Sequence, residues 1–355
     1  MTERYAILGL GNGGHAFASH LTLAGKNVSV YDRNPEKIAA VRELGGIYVE
    51  GEIEGFAPIE RLSCDLDETI SDADIIMVVT TADAHYDMAK KMSPYLRDDQ
   101  IVVLNPGRTG GVFEFEKALG KTKPIIAETS SLIYVCRSHE PGNVRISKVK
   151  NNIILASRRR EDSYIVSDAL SDVYPQIKVG GIFECSFSNI GAVFHPTVLL
   201  SNRDRLEEGF DFYREGVTRD VEMRIEAVDR ERVDVAKALG VDVLPIKDWL
   251  TFSYGIRNGV PLRIMIDRNP AYKNLPAPRT LNVRYITEDV PTGLVPISEF
   301  GKLLDVKTPT IDVLIAEASE VMKIDFRKTG RTLEKMGFNN NGLEYMLSED
   351  IPLVA

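Results

Sequence analysis

Residues 5–16 (YAILGLGNGGHA) constrain this chain more than any other stretch, because a short apolar run breaks there into Gly9-x-Gly11-x-x-Gly14 and resumes in a helix-compatible pattern. Strand, tight turn and helix start follow in that order. Glycine permits the sharp turn at Gly9, removes the side chain at Gly11 where a pyrophosphate would approach, and lets helix and strand pack closely at Gly14. Backbone N–H groups at the helix start, around Asn12 and Gly13, then face phosphate oxygens. The surroundings match a dinucleotide-binding unit: the helix runs to Ala24, Gly25 stops it, and a second strand at 27–31 leads into Asp32, which can accept hydrogen bonds from an adenosine ribose. A glycine-rich turn in some other α/β domain is the alternative.

The first half of the chain continues the pattern. Apolar runs at 73–83 (ADIIMVVTTAD), 100–111 (QIVVLNPGRTGG) and 124–137 (PIIAETSSLIYVCR) read as buried strands ending in polar or glycine-rich residues, with helical stretches between them. Residues 145–158 (RISKVKNNIILASR) read as hairpin-like extended structure before a last helix at 164–174. Such alternation predicts a doubly wound parallel sheet of Rossmann type, with ligands in the crevice outside the strand carboxyl ends. Thr80 and Asn105 stand at two of those ends. They join Gly9, Gly11, Asn12, Gly13, Gly14 and Asp32 as expected cofactor contacts, and Ser130, at a third end, is an expected substrate contact. Asp32 favours NAD, while the adjacent Arg33 offers a partner for a 2′-phosphate; NAD is the expected cofactor and NADP the alternative.

Beyond about Phe183 strand-like runs give way to helical periodicity carrying many charges. Val217, Val221, Ile225 and Val228 recur at helical spacing before Gly240, as do Ile311, Leu314, Ile315, Ala318 and Met322 after Pro309. The expected organisation is an α/β Rossmann-type domain over 1–183 and an all-helical domain over 184–355, with 339–355 as a loosely attached tail.

The net charge of -9 over 355 residues lacks the basic field that nucleic-acid backbones require. No apolar run reaches the ~18 residues of a membrane span, no leader pattern is read, and the cytoplasm is the expected setting. Cys64, Cys136 and Cys185 form neither a CxxC pair nor an even set, and read as packed thiols in a reducing compartment. No spacing of His and Cys suggests a metal site.

A nicotinamide dehydrogenase needs a proton donor or acceptor beside the carbon that receives the hydride, and histidine suits that task near neutral pH. His15 and His20 lie in the first helix and read as packing or surface residues. His139 sits in a polar turn, and His85, just after a strand end from which it could approach a nicotinamide, reads by its polar neighbours as an exposed helix start. His195 differs, lying in the apolar segment SNIGAVFHP just past the domain boundary. On these residues alone it is either a satisfied core histidine or a catalytic one.

The motifs GLGNGGHAFA, NPGRTGG, ETSSL, NIGAVFHP, NPAY, NVRYITEDVPTGLVP and DFRKTGRTLEKMG run in order from about residue 5 to 338. In them the chain resembles the opine dehydrogenases. The resemblance implies a nucleotide-binding domain followed by a helical octopine-dehydrogenase-type domain, a homodimer, and reductive condensation of a 2-oxo acid, often pyruvate, with the amino group of an amino acid. It implies His195 as the catalytic histidine, Asp289 as its carboxylate partner and Arg284 as a ligand for a substrate carboxylate. A carboxylate on one imidazole nitrogen fixes the tautomer and leaves the other nitrogen for substrate. A planar guanidinium grips a carboxylate at two points. Arg108, in NPGRTGG where a relative has a small residue, is expected to bind a further carboxylate or else to face solvent. Gly191 stands where a relative has asparagine, which removes a polar side chain that could face substrate. Two other readings stay open: a reductase of simple 2-oxo or 3-hydroxy acids on the same two-domain plan, and a catalytically silent nucleotide sensor.

Overall fold

Strands covered by helices on both faces bury both of their sides, so their sequences lose the alternation of a half-exposed strand. The computed structural model of the chain, which describes residues 3–338, follows this rule in its first half. The strands are β1 (Arg4–Leu8), β2 (Asn27–Tyr31), β3 (Gly46–Gly51), β4 (Gly55–Pro58), β5 (Arg61–Ser63), β6 (Ile75–Val78), β7 (Ile101–Leu104), β8 (Ile125–Thr129), β9 (Tyr134–Arg137), β10 (Asn143–Val149), β11 (Ile153–Ser157) and β12 (Ile177–Val179). Eight of them form one sheet in the order β12-β11-β8-β7-β6-β1-β2-β5. It is parallel except where β11 meets β8. β1, β6 and β7 read RYAIL, IIMV and IVVL and are almost wholly buried. Chain order reverses at the β1–β6 pair, and such a switch point leaves a crevice outside the strand carboxyl ends. Gly9 follows β1 and Thr80 follows β6, so both arrive at that crevice.

The other four strands form a second sheet, β4-β3-β10-β9. The helix Asn12–Leu23 packs against strands of both sheets, with Phe17 at ring separations of 4.9 Å from Tyr134 and 5.9 Å from Tyr174. This sheet departs from the sequence expectation in two respects. β3 and β4 come from a glycine-punctuated, glutamate-rich stretch in which alternation over so few residues is hard to tell from a charged loop. The expected hairpin at 145–158 does not form either: β10 pairs with β3 and β9, whereas β11 pairs with β8 and β12. Asn152, in the left-handed region at φ 53°, turns the chain from one sheet into the other.

The chain divides into two compact units, Met1–Gly107 with Val112–Ile182, and Arg108–Gly111 with Phe183–Ala355. Four residues after β7 thus belong to the second unit, which a single boundary at 183 does not anticipate. Among the described residues that unit is helical apart from one isolated bridge between Asp211 and Pro276. Its longest helix, Arg219–Ala238, starts where the Thr218 hydroxyl accepts the Val221 N–H, and buries Val221, Ile225, Val228 and Val235 along one face. Arg232 is fully buried on the same helix. It pairs with Asp229 at 2.6 Å and donates to the Leu244 carbonyl at 2.7 Å, while Asp229 accepts the Ile246 N–H that opens the next helix. The helix expected after Pro309 runs over Pro309–Met322.

Of the three cysteines only Cys185 is packed; Cys64 is exposed and Cys136 half-buried, a departure from three packed thiols. No helix among the described residues is long and apolar enough to cross a membrane. The tail expected at 339–355 lies outside the described residues.

Candidate active site

The glycines of the first turn differ in what requires them. Gly9 adopts φ 103°, which only glycine holds without strain. A Cβ on Gly14 would overlap the Gly9 carbonyl, and one on Gly13 would come within 2.8 Å of the Val79 side chain. A Cβ on Gly11 would meet no atom of the described residues within 4 Å. Nothing among the described residues therefore calls for glycine at position 11. The helix Asn12–Leu23 also opens without a side-chain cap, leaving its first amides for another acceptor. The Thr80 hydroxyl is buried beside this turn with no hydrogen-bond partner among the described residues. Room at Gly11, uncapped amides and an unsatisfied hydroxyl fit the pyrophosphate of a dinucleotide.

Asp32 is buried, with one oxygen accepting the Leu10 N–H at 2.6 Å and the other the Asn34 N–H at 2.9 Å. A carboxylate has about four acceptor sites, so capacity remains for ribose hydroxyls. Arg33 is exposed. The Asn12 side chain accepts the Ser138 N–H at 3.0 Å. Asn105 donates to the Val103 carbonyl at 2.8 Å and keeps a buried, unpartnered amide oxygen. Ser130 accepts the Ile154 N–H at 3.3 Å, which ties it to β11.

His15 is a packing residue: its Nδ1–H donates to the Gly11 carbonyl at 2.9 Å and its Nε2 accepts the Gly142 N–H at 3.0 Å. Burial lowers its pKa and keeps the ring neutral, as that pattern requires. His85 departs from its expected exposure. It is fully buried, edge-on to Phe115 at 6.3 Å.

In the second unit His195 and Asp289 come together. His195 lies on the helix Gly191–Ser201, and Asp289 immediately precedes a π-helical turn, Val290–Leu294. π turns interrupt the regular helical ladder and often re-aim side chains at functional sites. Gly293 in that turn lies so close to Ala192 that a Cβ there would overlap the alanine side chain, so glycine allows the two segments to approach. His195 Nδ1–H donates to Asp289 Oδ2 at 2.7 Å. The aspartate side chain is 0% exposed and the imidazole 14% exposed. Nε2 lies 3.4 Å from the Tyr213 hydroxyl. Tyr285 stacks on the imidazole at 4.1 Å and 16°, fixing its plane.

Burial lowers the proton affinity of His195; Asp289 raises it, Arg284 and Arg108 lower it again, and the net pKa falls below the ordinary histidine value. For Asp289, burial favours the protonated form, but Arg108 and His195 outweigh it and hold the carboxylate ionised. Burial pushes the Tyr213 phenol well up, so it stays protonated. At neutral pH the site therefore holds a neutral imidazole with its proton on Nδ1, and Nε2 accepts from the Tyr213 hydroxyl at the long distance of 3.4 Å.

Arg284 keeps its guanidinium 55% exposed, 3.8 Å from Glu288 and 5.7 Å from the centre of the Tyr285 ring. Arg108 neither faces solvent nor presents a free cation. It is 8% exposed, with NH1 donating to Asn189 Oδ1 at 2.9 Å and standing 3.0 Å from Asp289, and with Nε donating to Glu288 at 3.3 Å. Tyr213 and Tyr285 are neighbours that sequence reasoning does not find, because nothing in their local pattern separates them from core tyrosines.

Residues 178–322 match the family profile described as NAD/NADP octopine/nopaline dehydrogenase, alpha-helical domain. Residues 4–104 match one described as NADP oxidoreductase, coenzyme F420-dependent. An opine dehydrogenase of Arthrobacter sp. (strain 1C) is 39% identical over 345 residues, covering 95% of this chain and 96% of the relative. Octopine dehydrogenase solved with NADH and L-arginine superposes with a TM-score of 0.80 at 22% identity, covering 99% of both chains. The same enzyme solved with NADH and pyruvate gives 0.78 at 21% identity, covering 97% of this chain and 98% of that one. At those identities the superpositions establish the fold: a Rossmann-like unit with a helical unit of octopine dehydrogenase type. The extent and identity of the match to the Arthrobacter enzyme establish more, and the chain belongs to the opine dehydrogenase family of NAD(P)-dependent oxidoreductases.

Proposed function

We propose that this opine dehydrogenase joins the amino group of an amino acid to the carbonyl carbon of a 2-oxo acid such as pyruvate, with His195 as its acid–base catalyst. The observation that carries this role is the buried His195–Asp289 contact at 2.7 Å, which leaves Nε2 as the reactive nitrogen. Neutral His195 takes a proton from the substrate ammonium, and the freed amine adds to the carbonyl. The imidazolium returns that proton to the hydroxyl of the adduct, which departs as water and leaves an iminium. One proton is taken and one given, so the condensation balances. Reduced nicotinamide, when bound, supplies the hydride that converts the iminium carbon to the secondary amine. Asp289 holds the imidazole in one tautomer and stabilises its protonated form. Arg284 offers its exposed fork to a substrate carboxylate.

Gly11, the open amides of the first helix, Thr80, Asn105 and Asp32 form the cofactor contacts in this reading, with NAD preferred because Asp32 suits an unmodified ribose. Ser130 remains a substrate contact in the same reading. The homodimer and the cytoplasmic setting rest on the sequence alone.

The test follows NADH oxidation by absorbance with pyruvate, with and without a panel of L-amino acids, and identifies the product by mass. Consumption that requires both partners and yields an N-(carboxyalkyl) amino acid is expected. Consumption with the oxo acid alone would replace this reading with a hydroxy-acid reductase, and cofactor binding without turnover on any pair would favour a sensor.

A further inference from the structure

Arg108 is an unusual residue for its backbone. It adopts φ 63°, a left-handed conformation that glycine or asparagine holds more readily than a long side chain. The segment around it is held in that shape from several sides. Thr109 N–H donates to the Thr292 carbonyl at 3.1 Å, Gly110 N–H to the Ser186 hydroxyl at 3.2 Å, and Arg331 to the Thr109 carbonyl at 2.9 Å. The result is a guanidinium carried into the carboxylates behind the imidazole.

A second observation concerns the space this guanidinium occupies. A Cβ on Gly191 would lie 2.5 Å from Arg108 NH1 and 3.2 Å from Asp289 Oδ1. Gly191 is not in the left-handed region, so the backbone does not call for glycine there. The absent side chain leaves room for the arginine. A strained arginine and an adjacent vacancy shaped for it are thus two separate features that meet on Asp289.

We propose that Arg108 is a positioning residue that fixes the carboxylate of Asp289 against His195, and that Gly191 is the partner residue that admits it. The proposal rests on the catalytic reading of His195 and Asp289. Asp289 Oδ2 accepts from the imidazole, while Oδ1 makes no hydrogen bond among the described residues and stands 3.0 Å from Arg108 NH1 in an ion pair, so the guanidinium holds the carboxylate by charge. Asn189 accepts from NH1 and Glu288 from Nε, which hold the guanidinium in place in turn. The charged and titratable groups around the imidazole are Asp289, Arg108, Arg284, Tyr213 and Tyr285, with Glu288 ion-paired to both arginines. Removing the Arg108 charge strips a like charge from the imidazolium and makes Asp289 a more basic acceptor. Both effects move His195 titration upward.

The test is an NMR titration of the histidine side chains, with His195 assigned by its loss in H195Q, alongside turnover with NADH, pyruvate and the amino acid found active. In R108Q the His195 midpoint is expected to rise by about one pH unit and the acid limb of kcat/KM to move with it. R108K, which keeps the charge but not the fork, is expected to hold the midpoint near its original value while turnover stays reduced. G191A displaces NH1 without removing charge, and is expected to move the midpoint in the same direction by less. Combined with R108Q it adds nothing, because the group it would displace is gone. An unmoved His195 midpoint in R108Q overturns the positioning role, whatever the turnover. Should R108Q not fold, G191A decides alone, and an unmoved midpoint there has the same meaning. Full turnover in H195Q would instead overturn the catalytic reading, whatever the titrations show.

Discussion

The glycine turn of the first unit and the imidazole–carboxylate pair of the second are built in opposite ways. The turn is made of consecutive residues and works through backbone: a left-handed glycine, uncapped amides and missing Cβ atoms. The pair is made of side chains 94 residues apart, held by further side chains and buried from water. A site made of backbone fails when an atom is added, because the space is already committed. A site made of buried charges fails when an atom is removed, because the remaining charge loses its partner.

The largest test of this contrast is at the dyad. His195→Ala and Asp289→Asn are each expected to lower kcat by about 10³-fold, with NADH affinity by fluorescence titration unchanged. A parallel loss of NADH binding would break the separation of the two sites. Arg284→Ala comes next: with a charge-assisted grip lost, KM for one carboxylate substrate rises by about 30-fold while kcat changes less. An unchanged KM for both substrates would remove Arg284 from the site. The smallest effect sharpens the comparison most. Gly11→Ala is expected to leave the melting temperature of the cofactor-free protein intact and weaken NADH binding by about tenfold, whereas Gly14→Ala destabilises the fold itself by about 1–3 kcal/mol. If Gly11→Ala melted early and Gly14→Ala did not, the assignment of the two glycines would be reversed.

The same contrast explains which parts of the fold are legible in the sequence. The GxGxxG turn, Asp32 and the alternation of strands and helices are local patterns, and the Rossmann-like unit and helical unit follow from them. His195 on local pattern alone stayed divided between a core residue and a catalytic one; motif resemblance, not spacing, pointed to Asp289. The setting of Arg108 is not legible in the sequence, because Glu288 lies 180 residues away and only the folded chain joins them. His85 misled for the reverse reason: its polar sequence neighbours suggest solvent, while the ring that covers it, Phe115, comes from a later helix. The second sheet is not legible because β3 lies in a glycine- and glutamate-rich stretch, and its pairing with β10, far along the chain, is written in neither strand.

The four residues Arg108–Gly111 also limit how such a protein can be recombined. A chimera that joined 183–338 to a different nucleotide-binding half would inherit the imidazole and its aspartate, yet not the arginine between Asp289 and Glu288. Arg331 and the Thr292 carbonyl, which bond the backbone of Thr109, would then meet whatever loop backbone the other half supplies. Transfer of the helical half with its charged cluster complete therefore requires the loop after β7 to be exchanged with it, which takes more than one crossover in the gene.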